Sequence, residues 1–212
     1  MKDKHLRARI DQCLRNAELS RCPRRKFGAM LIDPQTNSIL ADGYNGPPRG
    51  EDGLCGGLFC ARDGLQAEDV VVRGTDDDCW VEVRGTHVLP ADGRPLQWKD
   101  EAEEMRRLLL GKYPPIQSGT HMEVGCHHAE ANVLANAMRR GIATQGAWLI
   151  VTGEPCMMCA KYVHHGGIAK VFVVKGGYAG GTAGTDYLAK YGVDVVFTDG
   201  PQDPRTEDRR PT

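Results

Sequence analysis

From residue 127 to residue 198 the chain alternates segments of helical period with short apolar runs, and this alternation limits the folds open to it more than any other feature. Helices are expected over 127–140, 156–166 and 185–191, and strands over 147–152, 170–175 and 194–198. Each helix has one apolar stripe and each sheet two faces to cover, so the pattern implies an α/β sandwich.

The N-terminal part adds a helix and a hairpin. Leu6, Ile10, Cys13, Leu14 and Ala17 recur at helical spacing over 4–19. Two apolar runs, 26–33 and 38–44, flank Pro34-Gln35-Thr36-Asn37, whose proline and asparagine suit a turn. Between 46 and 125 the periodicity weakens. "GPPRGEDGLCGG" reads as loop, "DCWVEVRGTHVL" as a strand pair, and "KDEAEEMRRLLLGK" as a helix ended by Gly111. We read one domain over 1–198 carrying an insertion at about 61–119, followed by a loose polar tail over 199–212.

A chain of 212 residues buries a core without disulfide staples, and its net charge of −1 offers no field for a long polyanion, which favours small substrates. No apolar run approaches the length of a membrane span, and "MKDKHLRARIDQCL" lacks a signal-peptide core, so a cytoplasmic protein is expected. In that setting the eight cysteines, two of them in a Cys-x-x-Cys, point to metal rather than to disulfides.

Two stretches carry chemistry. The first, "HHAEAN", contains His128 and Glu130; the second, "TGEPCMMCAK", contains Cys156 and Cys159. A catalytic zinc takes three N or S ligands and leaves one position open, and His128, Cys156 and Cys159 meet that count. Pro155 is expected in the first turn of a helix, whose positive end stabilises the thiolates that bind metal. In a first turn, residues two apart both reach beyond the helix end, so His128 can hold zinc while Glu130 reaches a water. An isolated Cys-x-x-Cys is more often half of a structural site, and an isolated His-x-Glu is usually a helix surface. Together, His-x-Glu followed by Pro-Cys-x-x-Cys is the known signature of zinc nucleobase deaminases, so the match identifies a pattern already described. It specifies the superfamily and not the substrate.

On "HAEANVLANA", "PCMMCAK", "KFGAMLID" and "DGYNGPPRG", the sequence resembles the deoxycytidylate deaminases of the cytidine-deaminase-like superfamily, phage and bacterial members above all, over roughly 6–197 outside 61–119. The resemblance implies a three-layer α/β/α sandwich with a central mixed sheet of about five strands and an insertion before the His-x-Glu helix. It implies His128, Cys156 and Cys159 as zinc ligands and Glu130 as proton shuttle. Asn45 would orient the nucleotide within an allosteric loop of Gly43, Tyr44, Asn45 and Gly46. Arg139 and Tyr178 fall where the family has a nucleotide or subunit contact; plain surface positions are the alternative. The substrate phosphate needs cationic partners, and Arg24, Arg25 and Lys26 are candidates against a merely solvated basic run. A second, structural zinc would use Cys22, Cys55, His121 and Cys126, with Cys60 and His127 as alternatives.

The function implied is zinc-dependent hydrolysis of dCMP to dUMP, feeding thymidylate synthesis, in a homo-oligomer of hexameric type with dCTP and dTTP as effectors. Alternative substrates are dCTP, a 5-modified dCMP or a nucleoside. A base in RNA or single-stranded DNA ranks low, because no run interleaves basic and aromatic residues. The alternative from another class is a non-catalytic zinc-stabilised module that senses nucleotides; Glu130 argues against it, since a structural zinc has no use for that acid.

Overall fold

The computed structural model describes residues 3–47, 60, 63–90, 92–113, 126–174 and 182–200. Its elements in chain order are α1 (Asp3–Ala17), β1 (Gly28–Ile32), β2 (Ile39–Tyr44), β3 (Val70–Gly74), β4 (Cys79–Val83), β5 (Thr86–Val88), α2 (Lys99–Lys112), α3 (Ala129–Arg139), β6 (Trp148–Val151), α4 (Met157–His165), β7 (Lys170–Val174), α5 (Ala183–Lys190) and β8 (Asp194–Thr198). The chain divides into two compact units. One comprises Met1–Arg21, Arg25–Gly46 and His127–Thr212; the other comprises Cys22–Arg24 and Pro47–Cys126. The expected tail lies outside the described residues beyond 200.

The first unit is built on a five-stranded sheet in the order β2-β1-β6-β7-β8. The sheet is mixed because the hairpin makes β1 antiparallel to β2 and β6, whereas β6, β7 and β8 run parallel through helical crossovers. Strand alternation explains the three layers. Ala29, Leu31, Leu149, Val151, Val171 and Val173 face Val133, Val163 and Leu188 of α3, α4 and α5. Met30, Ile32, Ile150, Phe172 and Val174 face Ile10 and Cys13 of α1. Both faces are covered, which is why β1 is buried along its whole length.

β2 is an edge strand, and α3 runs along its open side. Gly46 and His127 exchange backbone hydrogen bonds of 3.1 and 2.8 Å. The side chains of Asn132, Asn136 and Arg140 then donate to the carbonyls of Tyr44, Asp42 and Leu40 at 2.7, 2.8 and 3.2 Å. Four helical residues rise about 6 Å and two strand residues about 7 Å, so side chains four apart meet carbonyls two apart. Gly43 makes room for this approach, since a Cβ there would stand 2.6 Å from the Val133 nitrogen.

The second unit has a three-stranded antiparallel sheet, β3-β4-β5, with Val70, Cys79, Val81 and Val83 packed against Ala102 of α2. Its β4–β5 hairpin turns at Arg84 and Gly85, both at positive φ (49° and 78°). The Arg84 guanidinium grips Asp69 through two hydrogen bonds of 2.8 and 3.1 Å and so holds this non-glycine residue in a left-handed conformation.

The structure corrects three details of the sequence reading. Strand β3 was not expected, because "VVVRG" is too short a run to declare its state alone. Gly111 does not end α2, which continues to Lys112; the position is exposed and a helical glycine costs only about 1 kcal/mol. Helix α5 begins at Ala183, two residues before the expected start. No helix among the described residues is long and apolar enough to cross a membrane.

Because the Asn136 amide closes one rung on the β2 edge, Asn136→Ala should lower unfolding free energy by about 1 kcal/mol in urea titrations, with an unchanged denaturant slope.

Candidate active site

Two helices begin at one place. His128 is the N-cap of α3 and Cys156 the N-cap of α4, both with extended dihedrals (φ −72°, ψ 155° and φ −69°, ψ 164°). Pro155 therefore stands before the cap and not in the first helical turn as expected. The cap position suits a thiolate, because its sulfur accepts from the otherwise unpaired backbone N–H of Cys159 at 3.5 Å.

Nδ1 of His128 lies 3.4 Å from Sγ of Cys156 and 3.5 Å from Sγ of Cys159. The three donor atoms fall within 4.8 Å of one another and form the one such cluster of His, Cys, Asp or Glu among the described residues. One imidazole nitrogen and two thiols are a donor set that suits zinc, with a position left for water. Hydrogen bonding from Cys159, then from His128, pushes the Cys156 thiol down to about 3. The same bond to Cys156, followed by burial, pushes Cys159 up. The thiolate form is thus favoured at Cys156, whose sulfur sits at the N-terminus of α4.

Glu130 follows His128 in the first turn of α3 and is buried at 7% exposure. Burial pushes its carboxyl up to about 7; a backbone hydrogen bond and His128 oppose the shift, and Cys156 adds to it. A carboxyl poised near neutrality can both accept and donate a proton.

The other expected site residues fall into distinct settings. Asn45 is buried and its amide is committed to backbone: Oδ1 accepts from the Phe27 N–H at 2.7 Å and Nδ2 donates to the Arg25 carbonyl at 3.0 Å. Its own carbonyl accepts from the Ser20 hydroxyl at 2.7 Å. In this arrangement Asn45 braces 20–27 against the end of β2, and the neighbouring loop residues Tyr44 and Gly46 are tied to Asn132 and His127. Lys26 pairs with Glu18 on the surface at 2.9 Å. Arg139 sits exposed in the last turn of α3, about 16 Å along the helix axis from His128. Cys22 and Cys126 are half-buried and Cys60 is buried, while Cys55, His121 and Tyr178 lie outside the described residues. Sequence reasoning missed Asn132 as the residue joining α3 to the Tyr44 carbonyl; it stood in "HHAEAN", but nothing local shows that a strand edge lies beside it.

Residues 3–175 match the family model described as the cytidine and deoxycytidylate deaminase zinc-binding region. The chain is 27% identical over 159 residues to a deoxycytidylate deaminase of Enterobacteria phage T4, covering 72% of this chain and 68% of that protein. It is 28% identical over 152 residues to the phage T2 counterpart, covering 72% and 70%. Among solved structures it resembles dCMP deaminase from the cyanophage S-TIM5 in complex with dCMP and dUMP, with a TM-score of 0.55, 23% identity, and coverage of 93% of this chain and 99% of that one.

Two expectations follow from the geometry. His128→Ala and Cys159→Ala should each lower bound zinc by one equivalent per chain in atomic emission measurements. Asn45→Ala removes the acceptor Oδ1 offered to the Phe27 N–H and the donor Nδ2 offered to the Arg25 carbonyl, and should cost about 2 kcal/mol in urea unfolding.

Proposed function

We propose, from the premise that the chain belongs to the cytidine and deoxycytidylate deaminase family, that it hydrolyses dCMP to dUMP and ammonia. The observation that carries this reading is the cluster of His128, Cys156 and Cys159 with a buried Glu130 two residues beyond the histidine. The choice of dCMP is supported by the phage relatives, which are deoxycytidylate deaminases.

His128, Cys156 and Cys159 would hold zinc, and their donor chemistry fits it. Bound there, zinc supplies Lewis acidity that brings the ionisation of water down to about pH 7. The rest falls to Glu130. It takes a proton from the water that adds to C4 of the pyrimidine and passes it to ring N3. It then takes the second proton of that water and delivers it to the exocyclic amino group, so that the C4–N4 bond breaks and ammonia leaves. The product keeps the oxygen on C4 and the hydrogen on N3. Burial suits the carboxyl to this work, because it makes the protonated form accessible near neutral pH.

The resemblance extends the proposal. We assign Arg139 to a subunit contact of a homohexamer, supported by its exposure and its separation from His128. Lys26 would release Glu18 to meet the substrate phosphate, and Tyr178 would stand near the nucleotide. The loop Gly43-Tyr44-Asn45-Gly46 would respond to dCTP or dTTP through its ties to His127 and Asn132. A structural zinc on Cys22, Cys55, His121 and Cys126 and a cytoplasmic location complete the reading.

The test is dUMP formation from dCMP by zinc-loaded protein. Glu130→Ala should lower turnover by at least about 10³-fold while zinc content stays at the wild-type value. Turnover of dCTP, a 5-modified dCMP or a nucleoside, with none of dCMP, would move the substrate assignment. No turnover of any of them by zinc-replete protein would favour a nucleotide-sensing module.

A further inference from the structure

Gly184 is the second residue of α5 and is buried there. A methyl group at this position would overlap the carbonyl oxygen of Pro155, and would stand 2.9 Å from the Pro155 carbonyl carbon and 3.1 Å from that of Cys156. Its φ is not positive, so the backbone conformation does not require glycine. Close approach does: the first turn of α5 rests directly on the peptide that carries Cys156. That turn is stiffened by hydrogen bonds from the Thr182 hydroxyl to Asp186 (2.7 Å) and from the Thr185 hydroxyl to the Thr182 carbonyl (2.8 Å). Leu188, one turn on, is fully buried in the core shared with Val163 of α4.

We propose that Gly184 is a positioning residue for Cys156, fixing through backbone contact where its thiolate stands relative to Nδ1 of His128. The inference rests on reading His128, Cys156 and Cys159 as metal ligands. A side chain at 184 would force α5 and the Pro155–Cys156 peptide apart by on the order of 1 Å, whereas a functional constellation tolerates about 0.5 Å. Neither side yields cheaply, because α4 and α5 share a close-packed core. Linkage supplies the converse: if docking of α5 sets the metal site, filling that site must stabilise the docking of α5 by the same factor.

Two measurements on the full chain test this, with His128→Ala as the blank for zinc held elsewhere. In hydrogen exchange on wild-type protein, zinc should slow the first-turn amides of α5, including the Asp186 N–H that bonds to the Thr182 carbonyl, together with those of α4. Gly184→Ala should weaken zinc binding roughly tenfold to a hundredfold in chelator competition and shift the thiolate-to-metal absorption band of the Co(II)-loaded protein. Leu188→Ala, which loosens the same helix without touching Pro155, should lower Tm and weaken zinc binding by less than Gly184→Ala does, with the band unshifted. Wild-type affinity and an unshifted band in Gly184→Ala would overturn the proposal, as would α5 exchange indifferent to zinc; the exchange result decides if Gly184→Ala does not fold. Wild-type protein that binds no more zinc than His128→Ala would instead remove the metal reading, and the inference with it.

Discussion

Two helix N-termini meeting at one point impose the main constraint on the first unit. Each terminus presents unpaired backbone N–H groups and a partial positive charge, so bringing α3 and α4 together is unfavourable unless something anionic lies between them. Here two of the three clustered donor residues, His128 and Cys156, are the caps. Cys156 takes up the Cys159 N–H and contacts the imidazole of His128, which also approaches the Cys159 sulfur. Local helix capping and the clustering of zinc-type donors thus meet at Cys156.

Around that point the scaffold works through backbone contacts more than through polar side chains. On one side, Gly43 lets β2 lie against the start of α3, and the Gly46–His127 pair fixes the residue before His128. On the other, Gly184 lets α5 rest on the Pro155–Cys156 peptide. Asn45, buried with both ends of its amide on backbone, ties the approach to β1 to the end of β2. The rungs from α3 also close the open side of β2, and an edge strand left open is a template for unwanted pairing.

Much of this was legible from residue order. The alternation beyond residue 127 marked the strands that became β6, β7 and β8, since short apolar runs between helical segments leave few other folds. The hairpin of β1 and β2 followed from two apolar runs around a Pro-Asn turn. The His-x-Glu and Pro-Cys-x-x-Cys stretches marked the three donor residues that cluster in space, because metal chemistry restricts residue type and spacing together. Strand β3 was not legible, since a five-residue run becomes a strand only when a partner such as β4 supplies its hydrogen bonds. The backbone contacts of Asn45 were hidden for a related reason: nothing in the local sequence of a loop asparagine shows that its amide meets two backbone groups brought from 18 and 20 residues away.

By itself, the sequence determined the α/β class, the identity of the three clustered donor residues, and the acid placed two residues after the histidine. These follow from periodicity and from the bonding preferences of imidazole, thiolate and carboxylate, which are properties of residues and their spacing. Only the tertiary structure decided that His128 and Cys156 are helix caps, that Glu130 is buried enough to hold a proton near neutrality, and that Gly184 abuts the Pro155–Cys156 peptide. Desolvation and close approach depend on what stands opposite a residue in space, and a linear order of side chains carries no direct record of that.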